Sequence, residues 1–279
     1  MGQFYDSIPP KLIKWILEQH LFWVASAPLS GDAHVNVSPK GLDGTFHIVN
    51  ENKVWYEDFT GSTGETIAHL KENGRITILF GAFDGPARIA RLFGVGTYFE
   101  FGTPEYEELI SAETRRPGSR GVVVVDVHKV GTSCGFGIPI YNYVGNRPTL
   151  LNMSLTFEKH DQDDLSSGDV QRSDKGLKAY WEGHNTTSID GLPGMDVGHL
   201  SPKPLTHVSP PDGEKWPEPE QPPVEILTPA EPPVNTSRRS LEVMKGVSVD
   251  IEILKMLAVF LIGWALSGMY SGGAVAVTV

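Results

Sequence analysis

The sequence predicts a mainly β protein with inserted helices, an α+β antiparallel barrel, followed by a linker and a hydrophobic tail. Three observations carry that prediction. Short apolar runs alternate with Gly, Asn and Asp turns between residues 21 and 130, at the spacing of an antiparallel barrel. Eleven prolines then crowd into residues 201–236. Finally, no charged residue occurs between Met256 and Val279.

The elements follow in order. Leu12, Ile13, Ile16 and Leu17 recur at helical spacing behind Pro9-Pro10, which predicts a first helix over about 10–20. Strands are predicted at Leu21–Ala27, His34–Ser38, Thr45–Asn50, Lys53–Asp58, Arg75–Phe83, Pro86–Phe101 and Arg120–Val130. Asn50-Glu51-Asn52 and Asp84-Gly85 have the chemistry of hairpin turns. Ser62 with Glu65 three residues later reads as a capping box opening a helix that stops at Asn73-Gly74. A second short helix is predicted at Pro104–Ser111. Six or seven antiparallel strands with these helices close into a barrel whose mouth or outer groove receives a ligand.

Composition bounds the function. The 279 residues are 40% hydrophobic, enough for a substantial core. Lys and Arg number 23 against 34 Asp and Glu, and the resulting charge of −11 argues against nucleic-acid binding. A single cysteine, Cys134, excludes an internal disulfide and points to a reducing compartment. Neither paired cysteines nor a tight histidine cluster appear in the sequence, so no metal site is expected.

Residues 1–200 are read as the globular domain, 201–252 as a flexible proline-rich linker and 253–279 as a membrane anchor. The linker could alternatively be a docking segment that recruits partners. As a helix, the 24 residues from Met256 would rise about 36 Å, against a hydrocarbon core of about 30 Å. The first 20 residues lack a signal-peptide pattern, so a C-terminal anchor with the globular domain in the cytosol is expected. The sequons at Asn36, Asn152, Asn185 and Asn235 are read as chance.

Two segments concentrate polar residues and glycines: Asn36-Val37-Ser38-Pro39-Lys40-Gly41, and Tyr56 to Gly64. The second runs from a strand into a helix start, where free backbone N–H groups suit a phosphate, although Glu65 competes for the same donors. Lys40, Arg88 and Arg91 are the cationic candidates. The two arginines, three apart on a strand, face opposite sides. Gly131-Thr132-Ser133-Cys134-Gly135 fits Gly-x-Ser-x-Gly but has no placed His partner in the sequence, and Gly-x-Gly-x-x-Gly does not occur, which leaves a triad hydrolase and a Rossmann cofactor site unsupported.

The ordered series VNVSPKG, VWYEDFTGSTGETIAHLKENGRITILF and GPARIARLFGVGTYFE resembles the pyridoxamine 5′-phosphate oxidase-like, FMN-binding split-barrel family. SCGFGIPIYNYVGNR and YWEGHNTTSIDGLPG resemble one branch of it, and coverage is about residues 5–195. The resemblance implies a six-stranded antiparallel split β-barrel, a homodimer, and FMN in a groove at the dimer interface. By position it carries phosphate and ribityl contacts to Lys40, Ser62, Thr63 and Arg88, and the isoalloxazine side to Asn36, Ser38, Tyr56 and Asp58. It implies an FMN-dependent oxidoreductase acting on a small molecule; the alternative is a non-catalytic module binding flavin, deazaflavin or haem. No catalytic side chain is assigned, since the flavin itself performs the hydride chemistry. Three departures separate the family from its best-known substrate. Glu65-Thr66 stands where pyridoxamine-phosphate oxidases carry Arg-Lys, the arginine expected near Val35 is absent, and the Arg-Leu-x-Pro type ending is replaced by Ile189 to Pro193.

Overall fold

A computed structural model describes residues 2–167, 173–211 and 213–220. The chain runs β1 (Gln3–Tyr5), α1 (Pro10–Leu17), β2 (Phe22–Ser26), β3 (Asn36–Lys40), β4 (Phe46–Asn50), β5 (Lys53–Phe59) and α2 (Glu65–Asn73). It continues with β6 (Arg75–Gly81), β7 (Ile89–Glu100), α3 (Pro104–Leu109), β8 (Ser119–Ser133), α4 (Thr149–Ser167) and α5 (Leu177–His184). Among the described residues the sheet therefore has eight strands, not the six expected. Seven are the predicted runs. The eighth, β1, is three residues long, too short to show alternation, and pairs with the far end of β8.

Every pairing is antiparallel, in the order β3-β2-β6-β7-β8-β5-β4. The two ends of that order are not hydrogen-bonded to each other, yet the sheet curls until they meet through side chains. Phe46 of β4 packs edge-on to Phe22 of β2 at 5.2 Å and to Phe80 of β6 at 5.0 Å between ring centroids. This is a split barrel. Alternation drives the curl: β2 buries Phe22, Val24 and Ser26 and leaves Trp23 and Ala25 half-exposed. Val54, Tyr56, Ile78, Leu92 and Val123 fill the interior with them, and Leu12 and Ile16 of α1 plug one end. At Gly74 the chain turns left-handed (φ +71°) to end α2, the conformation glycine tolerates best.

β8 is apolar on both faces over Val122–Val125 because both faces are covered. Val123 and Val125 point into the barrel, whereas Val122 belongs to a second core with Phe101, Tyr106, Leu177, Trp181 and Leu205. That second core is built by α3, α4, α5 and the chain after them. α4 escaped prediction for a physical reason: its buried positions Leu151, Ser154, Glu158 and Asp161 are mostly polar, so no apolar stripe marks it. Arg115 holds it to the barrel, its Nη2 and Nη1 lying 2.7 and 3.1 Å from the Glu158 carboxylate. The Gly118 N–H (2.7 Å) and His207 Nδ1 (2.6 Å) also reach that carboxylate. Burial alone would raise the Glu158 pKa, but His207 and Arg115 outweigh it and hold it below the usual range.

Residues 201–220, the start of the predicted linker, lie along this second core. Leu205 is buried, Val208 donates to the Arg115 carbonyl, and the Trp216 N–H donates to Asn152 Oδ1 at 2.8 Å. The rest of the predicted linker and the predicted anchor at 253–279 lie outside the described residues. Among the described residues no helix is long and apolar enough to cross a membrane. Replacing Glu158 by Gln leaves the buried Arg115 guanidinium without its counter-charge. We expect a loss of about 3–5 kcal/mol in urea unfolding, with the barrel strands and the C-terminal helices melting together.

Candidate functional site

A cavity of about 680 Å³ opens where the barrel is split, a size that accommodates a cofactor the size of a mononucleotide. Its walls come from β3, the end of β5, the loop into α2, the start of β8 and the segment 143–150.

On β3, Asn36, Ser38 and Lys40 alternate onto one half-buried face that lines the cavity, while Val37 is exposed on the other. Asn36 Nδ2 donates to Thr66 Oγ1 at 3.0 Å, and Ser38 Oγ donates to Asn36 Oδ1 at 3.2 Å, which orients both side chains. Lys40 Nζ donates to Asp58 Oδ1 at 2.8 Å. Arg120 Nε donates to the other carboxylate oxygen at 2.8 Å, and its Nη1 donates to the Thr63 carbonyl at 3.0 Å. Arg120 reaches this position through a β-bulge. The β5–β8 register slips between Asp58 and Phe59, which face Gly121 and Ser119, so Arg120 falls out of the ladder and is re-aimed. Burial would raise the Asp58 pKa, yet the charges of Arg120 and Lys40 prevail and hold it below the usual carboxylate range. One carboxylate thus serves two cations, leaving net positive charge on this cluster.

The loop Thr60–Gly64 is held from behind. Thr60 Oγ1 accepts from the Trp181 indole N–H at 2.8 Å, and Asn185 Nδ2 donates to the Gly61 carbonyl at 3.0 Å. A Cβ on Gly64 would come within 2.6 Å of the Asn185 carbonyl, so only glycine permits this approach. These tertiary contacts displace the predicted capping box. α2 begins at Glu65 with Gly64 as its cap and no side-chain cap, and Glu65 Oε1 accepts the Ile189 N–H at 2.8 Å instead.

Of the residues singled out from sequence, Asn36, Ser38, Lys40, Ser62 and Thr63 line the cavity together. Asp58 lies directly behind the wall, fully buried by its two cations. Tyr56 does not reach the cavity: it sits in the barrel core, where burial pushes its hydroxyl pKa well above the ordinary value. Arg88 is also elsewhere. It precedes β7, beyond the β6–β7 turn, with its guanidinium 5.4 Å from the centre of the Trp15 ring of α1. Cys134 is exposed and lines no part of the cavity. Sequence reasoning missed Arg120, His20, Tyr143, Asn146 and Arg147 on the wall, which also carries Glu57 of the predicted segment Tyr56 to Gly64. His20 stacks on Tyr143 at 3.6 Å, and Asp43 accepts from His20, Tyr143 and Asn146, which pins the 143–147 segment over the opening. Burial raises the Glu57 pKa, easing protonation of an acid that would otherwise repel an anion here.

An antiparallel split barrel with a cation-bearing polar cavity at its opening defines a class of cofactor- and ligand-binding barrels. No family model matches the chain. A protein of Aspergillus flavus, the pyridoxamine 5′-phosphate oxidase family protein ustO, is 39% identical over 198 residues, or 70% of this chain and 78% of that one. Among solved structures, HupZ of Group A Streptococcus is similar over 44% of this chain and 91% of its own (22% identity, TM-score 0.36). A Clostridium acetobutylicum protein related to general stress protein 26 of B. subtilis, of the pyridoxinephosphate oxidase family, matches 44% and 86% respectively (13% identity, TM-score 0.31). The chain belongs to the pyridoxamine 5′-phosphate oxidase family.

The Asp58 cluster makes the site acid-sensitive in a defined direction. Because the folded-state pKa of Asp58 is depressed, its contribution is fully present above the ordinary carboxylate value of about 3.9 and is lost as pH falls through the folded value. Urea midpoints of wild type and Asp58→Asn should therefore differ by a constant amount above about pH 5 and converge below about pH 4. A gap that instead widened on acidification would contradict the ionised, doubly paired carboxylate.

Proposed function

We propose that the protein is an FMN-dependent oxidoreductase of the pyridoxamine-phosphate-oxidase-like class, acting on a small molecule other than pyridoxamine phosphate. The single observation that carries this reading is the cavity at the barrel split. Its donor set is that of a phosphorylated, planar ligand: the Lys40 ammonium, the Arg147 guanidinium, the Ser62 and Thr63 hydroxyls and the Asn36 amide. These residues fit FMN. Lys40, Ser62 and Thr63 would hold the phosphate and ribityl chain, while Asn36 and Ser38, already oriented by their own hydrogen bonds, would meet the ring edge. When bound, FMN supplies hydride acceptance and donation. The protein's own contribution is to fix the ring, to keep water out beneath the 143–147 segment, and to hold positive charge near the site through Lys40 and Arg120.

The substrate reading rests on what stands at the start of α2. Glu65 and Thr66 occupy the place where the resemblance puts a phosphate-pairing Arg-Lys pair, and the Arg-Leu-x-Pro type ending that the resemblance ties to the substrate is replaced by Ile189 to Pro193. The same observation favours the alternative, a non-catalytic module holding a flavin, deazaflavin or haem. A homodimer belongs to the proposal: β3 is an edge strand with Val35 and Val37 exposed beside the cavity, a surface suited to a second copy. The cytosolic domain with a C-terminal membrane tether rests on the charge-free run from Met256.

The test is an FMN titration of the purified full chain followed by visible absorbance and flavin fluorescence, with a parallel haem titration. One FMN per chain, reducible in place, is the expected outcome. Lys40→Ala should weaken binding about 10-fold to 100-fold, the equivalent of one charge-assisted hydrogen bond. A folded protein that ignores FMN sinks the oxidoreductase reading, and a haem band in its place supports the module.

A further inference from the structure

α2 carries Glu65 and His69 one turn apart, and His69 Nε2 and Glu65 Oε2 face each other. His69 is fully buried. Its Nδ1 lies 3.0 Å from Ser26 Oγ of β2, while its Nε2 stands 4.0 Å from Glu65 Oε2. That separation is too long for a hydrogen bond. Both His69 Nε2 and Glu65 Oε2 are buried atoms without a hydrogen-bond partner, and Glu65 is itself only 9% exposed. In the tautomer whose Nδ1–H donates to Ser26 Oγ, the Nε2 lone pair faces the Glu65 carboxylate, and a cation between the two atoms would satisfy both.

A third group completes the setting. Thr187 and Pro193 bridge to make a tight turn, and at its tip Asp190 brings a carboxylate to the same place. The ligand atoms of Glu65, His69 and Asp190 all lie within 4.8 Å of one another. Asp190 is held there by His34, whose backbone N–H reaches Oδ2 at 2.9 Å and whose Nδ1 lies 2.7 Å from Oδ1.

We propose that Glu65, His69 and Asp190 form a binding site for one divalent transition-metal ion per chain. One imidazole nitrogen and two carboxylate oxygens suit zinc or manganese, with the remaining positions open to water. Bonds of about 2.0–2.2 Å place tetrahedral ligand atoms about 3.4 Å apart, so the present spacing closes with side-chain shifts on the order of an ångström. The outer partners follow the pattern of established metal sites: the second nitrogen of the histidine is tied to a hydroxyl, and the carboxylate is tied to a donor of its own. Sequence reading expected no metal because Glu65 and His69 are separated from Asp190 by more than a hundred residues, and only the fold brings them together. Glu65 also lines the cavity proposed for FMN, whereas His69 and Asp190 do not, so the metal is tested without added flavin.

The full chain, stripped with a chelator and desalted without added flavin, would be titrated with zinc by calorimetry and with cobalt by visible absorption. We expect one tight zinc per chain, a raised Tm, and cobalt bands from an ordered nitrogen–oxygen set. Asp190→Asn, at the tip of the turn, and His69→Gln should each weaken zinc at least about 10-fold. Circular dichroism reports whether the buried substitution stays folded; if it does not, Asp190→Asn alone decides. The proposal is overturned if folded wild type takes up no stoichiometric zinc, or if a folded variant binds it as tightly as wild type does.

Discussion

The Asp58 carboxylate, shared between Lys40 and Arg120, is the interaction on which the rest of the site depends. Lys40 closes β3, one end of the sheet order, while Asp58 lies on β5, next to the other end. Backbone hydrogen bonds do not join those ends, so the ion pair and the rings of Phe22 and Phe46 hold the split together. Three charges buried together are costly to desolvate. The arrangement is tolerable because each carboxylate oxygen has its own cation and Arg120 spends a further N–H on the Thr63 carbonyl. One charge remains over, and it is positive. The same contacts that close the barrel therefore bring positive charge to the strand side of the cavity.

The helical layer outside the barrel acts on that cavity from behind. Trp181 and Asn185, at the end of α5, donate to Thr60 and Gly61 and so fix the loop that presents Ser62 and Thr63. Glu100, at the end of β7, accepts the backbone N–H groups of Asp196, Val197 and Gly198 and thereby ties down the chain beyond α5. Arg115 and Glu158 do the same for α4. A loop carrying small hydroxyl residues is flexible on its own; here the Thr60 hydroxyl and the Gly61 and Thr63 carbonyls are already committed to partners, which preorganises it.

Much of the barrel was legible because alternation and turn chemistry are local. All seven predicted strand runs formed, both hairpin turns fell at Asn50–Asn52 and Asp84-Gly85, and α2 stopped at Gly74. On β3 the period of two put Asn36, Ser38 and Lys40 on one face, and the structure keeps them together. What failed depended on distance. Arg120 is an ordinary arginine at a strand start until a register slip aims it at a residue 62 positions away. Tyr56 and Asp58 have the residue types of a binding site, yet their place on β5 puts one in the core and the other behind the wall. α4 hides because ion pairs, not an apolar stripe, bury it. The split barrel itself follows from the pattern, whereas its lining is settled by tertiary contacts that no local window contains.

Glu65 shows how one substitution of charge can redistribute the work of a site. At the first position of α2 a carboxylate sits in the positive end of the helix dipole and occupies the place an anionic ligand would take. It also accepts the Ile189 N–H, and so draws the turn carrying Asp190 against the helix. A cation at this position would have no such use for a backbone donor, and it would repel rather than attract a metal ion beside His69. The positive groups of the cavity wall lie instead at the strand ends and in the segment over the opening: Lys40, Arg120 and Arg147. The helix start and the strand side of the cavity thus carry opposite charge, so an anionic group entering it would be drawn to the strand side.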